Sequence, residues 1–101
     1  MHEQYTATAV VATETPSRYI KQLGSHLGHR CEILELGEVT RIVLASGSCD
    51  LQATDDAILL SATAPSRENL EQVTDVVGSH LERFAHRSSL TVAWSVARRV
   101  E

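Results

Sequence analysis

The chain reads Pro16-Ser17-Arg18 … Gly24-Ser25-His26-Leu27 … His29-Arg30, and a second copy reads Pro65-Ser66-Arg67 … Gly78-Ser79-His80-Leu81 … His86-Arg87. Each copy follows one apolar run and precedes another, an order that predicts strand, helix and strand in both halves. The second copy is more widely spaced, so its helix is predicted to be longer. The repeat therefore predicts a single domain with two β-α-β units, over about residues 5–36 and 57–97.

The segments between the two helices have the alternation and turn residues of antiparallel strands, over residues 31–36, 39–45, 48–54 and 57–64. The predicted order is β-α-β-β-β-β-α-β, and the last strand is predicted to turn Leu90, Val92, Trp94 and Val96 inward. Both helices carry an apolar stripe and must pack on the sheet. The fold class is thus α+β, a two-layer sandwich of a mostly antiparallel six-stranded sheet with two helices on one face.

Size and charge restrict the partners. The chain has 101 residues and a net charge of −4, so we expect one core and no nucleic-acid or anionic-membrane surface. No run approaches the length of a membrane span, and the first residues do not resemble a signal peptide. These features predict a cytoplasmic protein, in which Cys31 and Cys49 stay reduced.

Five segments of the sequence carry a resemblance to a known family: Pro16–Leu23, Ser25–Arg30, Gly47–Leu51, Asp75–Phe84 and Leu90–Trp94. In these the chain resembles the small prokaryotic domains of domain-of-unknown-function family 2218. The resemblance implies a stand-alone bacterial cytosolic domain. Related domains are joined to siderophore-interacting flavin reductases, which implies a role in iron or siderophore handling and such a reductase as a partner. The family has no assigned catalytic residues, so none is carried over.

Histidines cluster at the predicted helix ends, and four of them are candidate metal ligands: His26, His29, His80 and His86. His26 and His80 occupy equivalent positions in the repeat and are predicted to face each other across the helix pair. Imidazole suits Fe or Zn, although a full site needs three or four ligands. Alternatively, these histidines lie at the helix ends only because the negative end of the helix dipole favours them, or because they hydrogen-bond a carbonyl. A third alternative is that they sense pH or an anion.

Arg83 and Arg87 form a basic cluster with His86 and are candidate anion-binding residues, because guanidinium groups pair well with carboxylate and phosphate. A siderophore or a nucleotide phosphate is the ligand class this cluster would suit. The alternative is an ordinary solvated helix end. Both cysteines are interpreted as structural, with Cys31 the better candidate for a reactive thiol.

No H-E-x-x-H, C-x-x-C or glycine-rich phosphate loop occurs in the sequence. The leading hypothesis is therefore a non-enzymatic binding or accessory module linked to iron or siderophore handling, without assigned catalytic residues. A second hypothesis is a metal- or haem-dependent enzyme that uses the helix-end histidines. A third is an oligomerisation module, a homodimer formed through a sheet edge or the open sheet face.

Overall fold

The computed structural model describes residues 3–84 and 90–100 and shows the predicted α+β fold with its element order confirmed. The elements follow the chain as β1 (Glu3–Ala12), α1 (Pro16–Leu27), β2 (Glu32–Leu36), β3 (Val39–Val43), β4 (Ser48–Ala53), β5 (Ala57–Ala64), α2 (Arg67–Phe84) and β6 (Ser95–Val100).

The strands form one antiparallel sheet in the order β2-β3-β4-β5-β1-β6. The first strand lies between β5 and β6, so Ala7 pairs with Ala62 on one side and with Val96 on the other. As a result, α2 connects two strands that flank β1. The first helix connects β1 to the far edge strand, across β5, β4 and β3. Both helices therefore lie over the middle of the sheet.

The strand residues alternate between a buried and an exposed face. In β1, Ala7, Ala9 and Val11 are buried, whereas Thr8 and Val10 are exposed. The same side of the sheet supplies the buried residues of the neighbouring strands, and both helices bury their apolar stripes against it. The core side chains from the helices are Ile20, Leu23, Leu27, Leu70, Val73, Val77 and Leu81. The helices also contact each other, so the predicted packing of both helices on one face is confirmed.

The local sequence explains where the helices begin and end. Pro16 begins α1, where its missing N–H is not needed, and the Ser66 hydroxyl caps α2 by accepting the backbone N–H of Asn69 at 3.1 Å. After α1, the N–H groups of Arg30 and Cys31 both donate to the Leu27 carbonyl, at 2.9 and 2.8 Å. This tight turn holds residues 29–31 beside the end of the helix.

The prediction for the last strand was wrong in part. Residues 90–94 are not in a strand, β6 begins at Ser95, and Val96 is 52% exposed rather than buried. Leu90, Val92 and Trp94 pack against the core, but from a segment that is not a strand. Trp94 lies against Gly78, where a Cβ atom would come within 3.0 Å of the indole nitrogen. The alternation of apolar residues is the same for both arrangements, so it could not distinguish them.

The opposite face of the sheet carries an ion pair on its central strands. Arg41 donates two hydrogen bonds to Asp50 on the adjacent strand, at 2.7 and 3.1 Å, and this contact raises the pKa of Arg41. Within the described residues, neither helix is long and apolar enough to cross a membrane.

Candidate functional site

A cleft of about 550 Å³ lies where the last turn of α1, the turn that follows it and the second half of α2 meet. We call it the histidine cleft. Its polar lining consists of His26, His29, Arg30, Cys31, His80 and Arg83, and its apolar lining of Leu27, Leu44 and Val76. Residues far apart in sequence form this cleft because the fold places both helices side by side.

His26 and His80 lie next to each other in this cleft. Their ring centroids are 5.1 Å apart and the ring planes are tilted by 45°. The predicted proximity of these two residues across the helix pair is therefore confirmed. His26 projects from α1 and is exposed, whereas His80 projects from α2 and is half-buried.

The imidazole of His26 also contacts a second residue of α2. The ring of Phe84 lies 5.2 Å from it in an edge-to-face arrangement with an interplanar angle of 83°, a favourable geometry for aromatic pairs. Phe84 follows His80 by four residues, so both lie on the same side of α2. Sequence analysis did not predict this contact. The four-residue spacing from His80 was the available signal.

A backbone hydrogen bond fixes the ring of His80. Its Nδ1 atom lies 2.7 Å from the carbonyl oxygen of Val76, one turn earlier in α2. In a neutral imidazole that donates this bond, the proton is on Nδ1 and the lone pair is on Nε2. The free nitrogen can then accept a hydrogen bond or bind a metal ion.

The turn after α1 supplies the second side of the cleft. His29 and Arg30 are exposed there and Cys31 is half-buried. Arg83, one of the two candidate anion-binding residues, lines the cleft from α2. His86 and Arg87 fall outside the described residues. Sequence analysis did not select Arg30, because only the fold shows that the turn faces α2.

Cationic and titratable nitrogen groups dominate the charge of the cleft. Three imidazoles and two guanidinium groups line it, and among the described residues no Asp or Glu does. Because guanidinium groups carry a fixed positive charge, the lining favours an anion. Helix-end position alone would explain one such group, but the cleft collects them from both helices and a turn.

The described residues contain no group of three or more His, Cys, Asp or Glu side chains arranged to hold a metal ion. His29 and Cys31 therefore line the same cleft without joining the His26–His80 pair. The four-histidine metal site stays a prediction, as does an anion site that includes Arg87.

The second cysteine lies outside the cleft, in the core. Cys49 is completely buried, and desolvation by this burial raises the pKa of its thiol to about 12. The Cys49 thiol also lies 3.8 Å from the Asp50 carbonyl oxygen, to which it donates. A thiol that keeps its proton is a weak nucleophile, so the geometry supports the interpretation of Cys49 as a structural residue.

A second cleft, of about 580 Å³, lies between α1 and strands β2 and β3. We call it the lysine cleft. Lys21, Glu35 and Glu38 line it together with the hydroxyl groups of Ser17, Ser25 and Thr40, and Thr40 donates to Glu35 at 3.4 Å. Its charges are of both signs. Sequence analysis missed this cleft because its residues have no characteristic spacing.

Comparison with known proteins agrees with this architecture. The NMR structure of PA4090 from Pseudomonas aeruginosa superimposes with a TM-score of 0.75 and 33% sequence identity, over 90% of this chain and 95% of that one. No curated protein matches. A model of the family described as "Uncharacterized protein conserved in bacteria (DUF2218)" matches residues 8–95. The chain therefore belongs to this bacterial family of uncharacterised proteins.

Proposed function

We propose that the protein is a non-enzymatic binding module that holds a small anionic ligand in the histidine cleft. The observation that carries this proposal is the lining of the cleft, in which Arg30 and Arg83 accompany three imidazoles without a carboxylate from the described residues. The volume lies within the range of small-molecule sites, roughly 300–1,000 Å³. The apolar side chains of Leu27, Leu44 and Val76 would contact the organic part of the ligand.

The ligand class we propose is an anionic chelate of ferric iron, such as a siderophore or a polycarboxylate complex. Carboxylate or catecholate oxygens of such a chelate would accept hydrogen bonds from the guanidinium groups. The resemblance that links related domains to siderophore-interacting reductases supports iron as the metal. A reductase of this kind would be the partner, because reduction of ferric iron releases it from such ligands.

Exposure of the polar lining favours binding over catalysis. His26, His29, Arg30 and Arg83 are all exposed, so a ligand in the cleft stays in contact with water. Catalytic sites gain much of their electrostatic effect by excluding water. A metal- or haem-dependent enzyme would need a further element to close over this cleft.

Calorimetric titration with ferric citrate tests the proposal. We expect Arg30→Gln and Arg83→Gln each to weaken binding by about 10-fold or more, because a charge-assisted hydrogen bond contributes about 1.5–3 kcal/mol. Lys21→Gln is the matched control. It removes the same charge from the lysine cleft and should leave the affinity within about 2-fold, the range expected of an exposed charge.

Two results would contradict the proposal. One is equal weakening by all three substitutions, which would show that only overall charge matters. The other is the absence of binding by the unmodified protein to ferric citrate and to ferric complexes of a catecholate and a hydroxamate chelator. The gallium complexes, which are diamagnetic, allow the same titration to be followed by NMR.

A further inference from the structure

We propose that His26 and His80 together bind a divalent transition metal ion through their Nε2 atoms, without a third ligand from the protein. The inference rests on the proposed function in that it uses the same cleft, but it depends on the two imidazoles and not on the guanidinium groups. It assigns the metal to the pair formed by His26 and His80, whose rings are in contact, and it leaves the other coordination positions to exogenous ligands.

The distance between the rings suits this role. Zinc binds imidazole nitrogen at about 2.0–2.1 Å in tetrahedral geometry, so the centroids of two rings on one ion lie about 5 Å apart. The observed separation of His26 and His80 is 5.1 Å. The separation of the two rings is therefore that of two imidazoles bound to one ion.

The environment of each ring prepares it for coordination. The contact between His80 Nδ1 and the Val76 carbonyl, at 2.7 Å, is the type of second interaction that fixes the tautomer of metal-bound histidines. The edge-to-face contact with Phe84 restricts the ring of His26. Both rings are thus partly ordered before a metal ion arrives, which lowers the entropy lost on binding.

The charge of the cleft determines what completes the coordination shell. Arg30 and Arg83 line the same cleft and repel a bare cation, so we expect the divalent ion to bind more tightly when an anion accompanies it. Such an anion would contact the guanidinium groups and occupy the open coordination positions. By reciprocity, the metal ion raises the affinity for the anion by the same factor.

Copper titration followed by electron paramagnetic resonance tests the site, because Cu²⁺ binds nitrogen ligands most tightly among the common divalent ions. All proteins compared carry His2→Gln, which removes the histidine beside the terminal amine. We expect signals of two nitrogen ligands. Both His26→Gln and His80→Gln should lower the affinity for Cu²⁺ by about 10-fold or more, because loss of even an outer-shell partner of a metal ligand has an effect of this size. His29→Gln, in the same cleft, is the control and should change the affinity less than about 3-fold, since it removes no ligand of the ion.

Zinc titration followed by imidazole ¹⁵N NMR provides a second readout in the protein that retains His26 and His80. We expect Zn²⁺ to shift the Nε2 resonances of His26 and His80 together. A shift at neither ring, an unchanged copper affinity in either variant, or an equal loss in His29→Gln would overturn the inference. Arg30→Gln separates it from the proposed function, because it should weaken the ferric chelate while the affinity for Zn²⁺ without added anion is kept or increased.

Discussion

At the scale of single residues, the contact of a side chain with water decides its chemistry. Cys49 and Cys31 illustrate this. The first is enclosed by the core, whereas the second lines the histidine cleft. Identical side chains thus have different chemistry because the fold gives them different contact with water.

The buried thiol predicts a loss of stability at alkaline pH. Folded Cys49 keeps its proton up to about pH 12, whereas in the unfolded chain the thiol titrates at about pH 8.5. Its contribution to stability is therefore complete below the unfolded pKa and is lost as the pH rises toward the folded pKa. The slope between them is about 1.4 kcal/mol per pH unit.

Urea unfolding at pH 8 and pH 10 measures this effect. We expect the free energy of unfolding of the unmodified protein to fall by about 1–2 kcal/mol more than that of Cys49→Ala over this interval. Cys31→Ala serves as the control for removal of a thiol and should follow the unmodified protein. An identical pH dependence in Cys49→Ala would contradict the assignment.

A single methyl group added at Gly47 should strongly lower the stability of the fold. A Cβ atom there would overlap the Thr63 carbonyl oxygen and lie 3.0 Å from Ala64, so β4 and β5 would have to separate. We expect Gly47→Ala to destabilise the fold by about 2–3 kcal/mol, as overpacking does. Leu44, whose N–H donates to the Gly47 carbonyl at 2.8 Å, would shift at the floor of the histidine cleft.

Gly24→Ala is the matched control for this measurement. A Cβ atom at Gly24 would lie 3.7 Å from Ile33, in ordinary van der Waals contact. Since alanine is the better helix former, we expect the free energy of unfolding to rise by about 0.5–1 kcal/mol. Thermal unfolding of both variants should therefore give changes of opposite sign, and a gain in stability in both would show that the packing at Gly47 is looser than described.

At the scale of the elements, the repeated glycine of each helix lies against the chain that returns from that helix. Gly24 of α1 faces Ile33 of β2, and Gly78 of α2 faces Trp94 just before β6. Gly24 has room for a Cβ atom, whereas the contact of Gly78 with Trp94 leaves little room for one. This contact lets the segment of residues 90–94 lie along α2 before it enters the sheet.

Glu82 is predicted to hold that segment in place. Its carboxylate accepts the backbone N–H of Val92 at 2.8 Å, a charge-assisted hydrogen bond in a half-buried position. We expect Glu82→Ala to loosen the segment and expose Trp94, the one tryptophan of the chain. Its fluorescence should shift to longer wavelength and become more accessible to acrylamide. Glu71→Ala, an exposed position of the same helix, should leave the emission unchanged.

The sequence predicts the elements of this fold wherever an element buries one face and exposes the other. Hydrophobic periodicity predicted both helices and the first five strands, because each buries one face and alternation reports that face directly. The same signal misplaced residues 90–94, since side chains that pack on a helix alternate as they do in a strand. The repeat placed His26 beside His80, but Arg30 and Phe84 required knowledge of which surfaces meet.

At the scale of the whole molecule, the open face of the sheet determines whether copies associate. Its exposed apolar side chains include Val10, Leu59 and Leu36. Gln52, which pairs with Leu59, lies between Leu59 and Leu36 in the register of the sheet. The centre of the face carries the Arg41–Asp50 ion pair. A stable dimer buries about 800 Å² on each partner with a mainly apolar centre.

We therefore predict a monomer at micromolar concentration, and not the homodimer that the oligomerisation hypothesis requires. Sedimentation equilibrium should give a mass near 11.1 kDa. Substitution of the exposed Val10 by Thr should leave this mass and the ligand affinity unchanged. A dimeric mass that Val10→Thr reduces would instead assign the open face to self-association.

The histidine cleft, formed where the two helices meet, is the binding site that we propose for the protein. An NMR titration of the ¹⁵N-labelled protein with gallium citrate, with backbone and imidazole resonances followed together, tests this assignment. We expect the largest shifts at His26, Arg30, His80 and Arg83. Shifts centred on Lys21 and Glu35 in the lysine cleft, or no shifts at saturating gallium citrate, would contradict it.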